Sequence, residues 1–284
     1  MGKNRFPPEY QNAQGGAPRL IPPSESASRG LSPHETESLI SESPDSNAAG
    51  FLSESPKPIR YDHVDDNPRE VASLIAGFVP EGARVLDVGC GTGALSMLIQ
   101  KLRSAQVFGV EPDADRVEVA RARGIDVTAG YLTDEVIATL GKFKVVVFAD
   151  VLEHVPNPSA LLKLGCSALD PDGVAVISVP NVAHWSVRWA LLRGRFDYEQ
   201  YGIMDATHLR WFTSASLRRW LENNGFTVEA VEQSAGTTLP VYSQAWPWRV
   251  IHPWRRSKLV RILARAWPDL FGCQHIVRAR PGGR

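Results

Sequence analysis

The alternation of apolar and polar positions predicts a repeated strand and helix unit from about residue 68 onward. Short apolar runs predict five buried strands, "ARVLDVGC", "QVFGVEP", "IDVTAG", "KVVVFAD" and "GVAVISVPN". Apolar residues at three- and four-residue spacing predict helices between them, "PREVASLIAGFV", "GALSMLIQKLRS", "ADRVEVARARG" and "NPSALLKLGCSAL". This order favours a doubly wound α/β fold with a mostly parallel sheet. Ligands of such sheets bind at the carboxyl ends of the strands.

The pattern changes after residue 181. Trp185, Trp189 and Leu192 have helical spacing, a Gly-rich and aromatic connector follows, and Thr213 is the expected N-cap of a helix, "SASLRRWLENNG". Two strands, "FTVEAVEQ" and "CQHIVRARP", are expected to complete a seven-stranded sheet. All eight tryptophans lie beyond residue 180, so residues 181–212 are predicted to form an aromatic-rich cap inserted after the fifth strand.

The first 58 residues differ in composition from the rest of the chain. Nineteen of them are Ser or Pro, and stretches such as "ETESLISESPDS" have no apolar face. Such a segment cannot bury enough surface to offset the entropy of ordering it. We therefore predict a disordered tail over residues 1–58 and a folded domain over residues 59–284.

Overall charge and cysteine content narrow the function classes. The chain has 31 basic and 31 acidic residues, so its net charge gives no reason to expect nucleic acid as a partner. Its three cysteines are isolated, which is typical of a reducing compartment and predicts neither disulfides nor a metal site. No apolar run has the length of a membrane span, and the N-terminus lacks a signal peptide. A cytoplasmic location is expected.

A glycine-rich loop follows the first predicted strand, in "VLDVGCGTG". Gly89, Gly91 and Gly93 allow close approach of a ligand to the backbone, and the next helix points its N-terminal amides toward that ligand. The spacing also fits a dinucleotide site. However, Asp87 would repel a pyrophosphate and attract a cationic ligand, which leaves a dehydrogenase as a minor alternative. Glu111 follows the second strand, 22 residues after Gly89, where an acid accepts hydrogen bonds from ribose hydroxyls.

Together, "VLDVGCGTG", "GVEPD", "FADVLEHVPNP" and "LDPDGVAVISVPN" resemble the class I S-adenosylmethionine-dependent methyltransferases over residues 68–235. "VPNVAHWSVRWALLRGRF" and "HLRWFT" look most similar to the MetW-like and UbiG-like branch, which includes methyltransferases of glycan and quinone pathways. The resemblance implies S-adenosylmethionine as cofactor. It also implies that Asp87 and the glycines lie near the methionine moiety and Glu111 on the ribose.

One position departs from the pattern of this family. Relatives commonly carry Gly-Asp after the third strand, whereas this chain has "AGYLTD", with Tyr131 in place of the acid. Recognition of adenine is therefore expected from backbone groups, from stacking on Tyr131 or from Asp134. Asp150, at the end of the fourth strand, is expected either to touch the ligand or to cap the following turn.

Three histidines are candidates for receiving the proton of an acceptor. His154 follows the fourth strand and His184 follows the fifth, so both are expected at the ligand edge of the sheet. His208 lies in "DATHLRWFT" at the end of the cap. If the cap folds back, His208 and Arg210 reach the acceptor; the alternative is a local knot with Asp205 that anchors the loop. We predict His154 and His208 as catalytic residues. Glu153 is expected either to orient His154 or to be solvated.

The C-terminal part carries a basic amphipathic helix in "HPWRRSKLVRILARAWPDLF", and residues 240–284 hold nine Lys or Arg and one acid. Residues 254–267 are therefore a candidate for peripheral contact with a membrane, or for a helix whose apolar face covers the sheet.

Two functional hypotheses follow. The first is a methyltransferase that acts on a small-molecule, glycan or lipid-linked acceptor, with oxygen as the expected atom. The second is a MetW-like partner or regulator of a homoserine acyltransferase that keeps the cofactor fold.

Overall fold

The computed structural model of the chain describes residues 70–282. The predicted tail over residues 1–58 lies outside this range, as does the start of the predicted domain. Within it, strands and helices alternate as far as the fifth strand, as the sequence predicts except for the helix between the third and fourth strands.

Seven strands form one sheet in the order β3-β2-β1-β4-β5-β7-β6. The first five pair in parallel, and β7 runs antiparallel between β5 and β6. The sheet is therefore mostly parallel, which confirms the predicted fold class. The strands are β1 Arg84–Val88, β2 Gln106–Glu111, β3 Asp126–Ala129, β4 Phe143–Ala149, β5 Leu169–Pro180, β6 Phe226–Ser234 and β7 Gln274–Pro281.

Ten helices accompany the sheet in the described part of the chain, with a 3-10 turn at Trp248–Val250. They are α1 Val71–Gly77, α2 Ala94–Arg103, α3 Ala114–Ala122, α4 Asp134–Leu140, α5 Pro158–Ser167, α6 Trp185–Leu192, α7 Ser214–Asn223, α8 Pro240–Gln244, α9 Pro253–Ala266 and α10 Pro268–Phe271. No described helix is both long enough and apolar enough to cross a membrane.

Side chains of alternate strand positions fill a core on each face of the sheet. On one face, Val85 and Val147 pack with Ile75 of α1 and Ile99 of α2. On the other face, the apolar side chains of the same strands meet those of α5 and α7, and their members include Leu86, Phe148, Leu162 and Leu217. Burial on both faces explains why these strands read as continuous apolar runs in the sequence.

Several predicted elements match the structure closely. Thr213 is the N-cap of α7: its hydroxyl accepts from Ser216 N at 3.1 Å, and the Ser216 hydroxyl in turn accepts from Thr213 N at 2.8 Å. Such a capping box satisfies two otherwise unpaired amides. The predicted basic helix over residues 252–271 is present as two helices, α9 and the short α10, because α9 ends at Ala266 before Trp267 and Pro268.

The short helices α4 and α8 were missed. Each has seven residues or fewer, too short for the apolar spacing to repeat, and α8 lies in a segment of mixed aromatic and polar residues. Strand β5 begins earlier than predicted, at Leu169, because Leu169 pairs with Phe143 before an irregularity in the ladder.

Candidate active site

A cavity of about 770 Å3 opens at the carboxyl ends of the parallel strands. Loops that follow β1, β2, β3 and β4 line it, together with residues 202–208 of the predicted cap and residues from the ends of β6 and β7. This is the edge at which a parallel sheet gathers the ends of its strands. This volume is within the range of pockets that bind small molecules or cofactors.

The glycine-rich loop after β1 forms one wall of the cavity. Gly89 and Gly91 line it with φ of 71° and 56°, a backbone conformation that residues other than glycine rarely adopt. Gly91 faces open space, whereas a Cβ on Gly89 would lie 2.8 Å from the Val151 side chain. Gly93, also predicted to contact the ligand, is not among the described residues that line the cavity. It needs to be glycine because its φ is 75° and a Cβ would meet Ile125 at 2.9 Å.

Glu111, at the end of β2, is buried and holds two loops in place. One carboxylate oxygen accepts from Gly91 N at 2.9 Å and the other accepts from Asp113 N at 3.0 Å. Each oxygen keeps a further acceptor position. Glu111 therefore lines the cavity, fixed by hydrogen bonds on both sides.

Asp87 lies near the end of β1, lines the cavity and is 1% exposed. Burial raises its pKa to about 6 against the lowering effect of Ser96, whose hydroxyl donates to it at 2.6 Å, and the nearby charge of Glu111 raises the pKa further. The two buried carboxylates make this end of the cavity strongly favourable for a cationic group.

Tyr131 and Asp150 also line the cavity. Tyr131 is 80% exposed, so its ring lies at the rim, whereas Asp134, the other side-chain candidate for adenine, is not among the described lining residues. Asp150 has a φ of 54° and accepts from the Ser178 hydroxyl at 3.0 Å and from the Gln274 amide. Desolvation raises the pKa of Asp150, and these two hydrogen bonds oppose the rise.

The stretch "DATHLRWFT" (205–213) is held against the loop that follows β4. Leu209 N donates to Glu153 O at 2.8 Å, and the Arg210 guanidinium donates to Pro156 O. Thr207 contacts Nδ1 of His154 through both its carbonyl oxygen and its hydroxyl. Two segments that are distant in the sequence thus form one wall of the cavity.

This wall brings together the two predicted catalytic histidines. The rings of His154 and His208 lie 4.7 Å apart, edge to face, and both line the cavity. Glu153 lies beside them and is completely buried, which rules out the solvated alternative. Burial raises the pKa of Glu153 well above its ordinary value, and the charges of Asp150 and Asp205 raise it further.

The sequence left two interpretations of "DATHLRWFT", a contact with the acceptor and a local anchor for the loop, and the structure has features of each. Asp205 is buried and accepts from the amide of Thr207 at 2.8 Å and from its hydroxyl at 2.7 Å, so the two residues form a local hydrogen-bonded turn. Arg210 serves as an anchor to the neighbouring loop and is not among the described residues of the cavity wall. His208, in contrast, faces the cavity.

The third histidine is placed differently from the prediction. His184 is buried outside the described lining of the cavity and caps α6, where its Nδ1 accepts from Ser186 N at 3.3 Å. Its Nε2 contacts the Tyr242 hydroxyl at 3.0 Å, and burial lowers the pKa of His184 to about 4. His184 is therefore a neutral core residue. The sequence predicted a position at the ligand edge of the sheet, because a residue just after a strand either faces the ligand or starts the next helix.

Glu70, which precedes α1, lines the cavity but was missed in the sequence. It is buried and accepts from the Ser234 hydroxyl at 2.9 Å and from the Thr237 hydroxyl at 3.1 Å. These partners follow or end β6, so no local pattern around Glu70 indicates the contact.

Comparisons with known proteins agree with this geometry. A family model described as a methyltransferase domain matches residues 61–231. The chain belongs to this methyltransferase family. It is an enzyme of the S-adenosylmethionine-dependent kind, as the sequence resemblance implies.

Among its relatives is the ubiquinone biosynthesis O-methyltransferase of Xanthomonas axonopodis pv. citri, 32% identical over 173 residues that cover 58% of this methyltransferase and 71% of the relative. The corresponding enzyme of Xanthomonas euvesicatoria pv. vesicatoria is 33% identical over the same shares. A chain in the complex of the Haloferax volcanii Trm112 methyltransferase activator with a methyltransferase shares the fold, at 18% identity and a TM-score of 0.51, with 75% of this chain and 89% of that chain covered. These relatives give no support to the hypothesis of a partner for a homoserine acyltransferase.

The raised pKa of Asp87 predicts a specific pH dependence of stability in the methyltransferase without ligand. Because the folded pKa of about 6 lies above the ordinary 3.8, the group stabilises the fold below pH 3.8 and loses this contribution as the pH rises through 6. The difference corresponds to about 3 kcal/mol. Asp87→Asn should remove this part of the pH dependence, as measured by urea unfolding across that range.

The matched control is Asp126→Asn, which removes an exposed carboxylate from β3. It should leave the pH profile as in the wild type. A wild-type profile retained in Asp87→Asn would show that Asp87 is ionised normally in the fold.

Proposed function

We propose that this methyltransferase transfers the methyl group of S-adenosylmethionine to a hydroxyl oxygen of a small acceptor. The observation that carries the proposal is a cavity with two chemically different ends: buried carboxylates beside the glycine-rich loop, and a wall of Glu153, His154 and His208. The relatives at 32% and 33% identity are O-methyltransferases by name, which supports oxygen as the acceptor atom.

The donor would lie along the glycine-rich loop. The ribose hydroxyls would donate to the remaining acceptor positions of Glu111, and the adenine would reach the rim near Tyr131. Asp87 and Asp150 are the carboxylates that would pair with the positively charged ammonium and sulfonium groups of the donor. Gly89 and Gly91 leave the backbone accessible to the methionine part, and Gly93 shapes the loop without touching the ligand.

The acceptor would lie against the wall of Glu153, His154 and His208. Transfer forms a bond between the acceptor oxygen and the methyl carbon and breaks the bond from that carbon to sulfur, while the hydroxyl proton must leave. Orientation and removal of this proton are the two tasks that fall to the protein. His154 and His208 are the side chains of the wall with a ring nitrogen that can accept this proton.

The acceptor experiment uses a lipid extract of cells that lack the gene, in which the unmethylated acceptor accumulates. Incubation with the enzyme and donor carrying a carbon-13 methyl group should produce one labelled methyl ether, identified by mass spectrometry and NMR. A label found on nitrogen or carbon would contradict the proposal.

His154→Ala should lower the turnover by about 100-fold, the scale of proton-transfer effects, with S-adenosylhomocysteine affinity within twofold of wild type. Lys163→Ala, which removes an exposed polar side chain from α5 that does not line the cavity, is the control and should keep wild-type turnover. Equal losses of turnover and affinity in His154→Ala would assign His154 a role in the fold of the site instead.

A second part of the proposal is contact with an anionic membrane surface through residues 246–267, which lie beyond the part matched by the family model. Large apolar side chains are exposed here, with Trp246 at 76% and Trp254 at 65%. They are interleaved with basic residues and with no acid. We call the following set the basic aromatic surface: Trp246, Arg249, Val250, Trp254, Arg255, Lys258, Leu259, Arg261, Ile262, Arg265 and Trp267.

Exposed tryptophan together with Lys and Arg is the composition of segments that lie in a lipid interface. A neutral membrane offers no negative charge, and an acidic soluble protein offers no apolar layer, whereas an anionic membrane offers both. Such a contact would bring a lipid-linked acceptor close to the enzyme. Each basic side chain near an anionic membrane contributes about 1 kcal/mol.

Sedimentation with vesicles tests this contact. The enzyme should bind vesicles that contain phosphatidylglycerol and not vesicles of phosphatidylcholine alone, and salt should weaken binding. Lys258→Glu should reduce binding by about tenfold or more, whereas Lys163→Glu, the same change on the exposed side of α5, should not. Equal effects of the two variants, or no preference for anionic vesicles, would contradict the contact.

A further inference from the structure

We propose that Glu153, His154 and His208 form a binding site for a divalent first-row metal ion at the acceptor end of the cavity. This inference rests on the proposed function, because it says how the wall would activate the acceptor hydroxyl. It also departs from the expectation of no metal site, which was based on the cysteines.

The first observation is convergence of ligand atoms. One potential ligand atom of each of the three side chains lies within 4.8 Å of those of the other two. Two imidazoles and one carboxylate are a set that zinc and related ions bind in enzymes, with coordination positions left open for substrate. All three residues line the cavity, so the open positions would face the acceptor.

The second observation is the state of Glu153. Its side chain is completely buried, and neither carboxylate oxygen has a hydrogen-bond partner within residues 70–282. A carboxylate in such surroundings is costly unless a cation compensates its charge. The neighbouring acids Asp150 and Asp205 add negative charge, which increases the demand for a cation of more than one charge.

The third observation concerns the other nitrogen of each ring. Nδ1 of His154 lies 3.3 Å from Thr207 O, and Nδ1 of His208 lies 3.2 Å from Ile203 O. A carbonyl oxygen only accepts, so these contacts place the proton on Nδ1 and the lone pair on Nε2. Metal-binding histidines commonly show this arrangement, in which a backbone carbonyl fixes the orientation and tautomer of the ring.

A metal ion here would bind the acceptor oxygen directly. Binding lowers the pKa of the hydroxyl, whose proton is released to water at the mouth of the cavity. The resulting oxygen anion then attacks the methyl carbon, and the carbon–sulfur bond breaks to leave neutral S-adenosylhomocysteine. In this scheme the metal ion replaces a histidine base in activating the hydroxyl, because His154 and His208 both serve as its ligands.

The experiment uses Co²⁺ as the probe, because its visible absorption reports nitrogen ligation. Titration of chelator-treated full-length enzyme, followed by absorption and calorimetry, should show one site per chain without donor or acceptor present. Glu153→Gln, His154→Ala and His208→Ala should each weaken Co²⁺ binding by about tenfold or more, since even loss of a supporting residue has effects of this size. Zn²⁺ should compete for the same site.

Glu70→Gln is the matched control for metal binding, because Glu70 is another buried carboxylate of the same cavity but has two hydroxyl partners. It should bind Co²⁺ as the wild type does. His154 is half-buried, so His154→Ala serves if Glu153→Gln fails to fold. Absence of Co²⁺ and Zn²⁺ binding in the millimolar range, or wild-type binding by all three ligand variants, would overturn the proposal.

Activity separates this inference from the proposed function. If chelator-treated enzyme methylates its acceptor at the full rate, the metal site is refuted and the O-methyltransferase function stands. If Co²⁺ binds as predicted but the label is transferred to nitrogen or carbon, the metal site stands and the proposed function fails.

Discussion

The hydrogen bond from Gly91 N to the carboxylate of Glu111 connects the loop after β1 with the end of β2, and the geometry of the donor end depends on it. The register of β1 against β2 places these two strand ends side by side. Positive φ at Gly89 and Gly91 then lets the loop turn sharply enough to bring its amide to Glu111. This contact holds the glycine-rich loop against Glu111, beside the end of β1 that carries Asp87.

The proposed acceptor end is built on a comparable contact between segments. The hydrogen bond from Leu209 N to Glu153 O brings residues 205–210 against the loop that follows β4. Glu153, His154 and His208 become neighbours through this bond and through the contacts of Thr207 with His154. The two ends of the cavity thus have different origins: one belongs to the repeated strand and helix unit, and the other to the segment that interrupts it.

This difference explains how much of the molecule the sequence predicts. The strands of the parallel sheet are buried on both faces and read as apolar runs, and Asp87, Gly89 and Glu111 lie at or just after the ends of two of them. The acceptor wall requires contacts between residues 153–156 and 205–210, for which no local spacing gives a signal. His184 illustrates the same limit, because its position after β5 suits both a ligand contact and a helix cap.

Burial is the other property that the sequence leaves open. In "DVLEHV" Glu153 could equally be solvated, yet its side chain is completely buried and its carbonyl oxygen accepts from Leu209 N. Glu70 likewise becomes a cavity residue through hydroxyl groups supplied by the end of β6 and the residues after it. Both carboxylates depend on segments that the apolar pattern does not place relative to them.

In the proposed complex, the donor lies across the ends of β1 and β2 with its ribose on Glu111. Calorimetric titration of S-adenosylhomocysteine and its 2′-deoxy analogue into wild-type enzyme and Glu111→Gln tests it most directly. In the wild type, loss of the hydroxyl should weaken binding by about tenfold or more, the scale of a hydrogen bond to a charged group. In Glu111→Gln the two ligands should bind almost equally, whereas an unchanged ratio between them would contradict the claim.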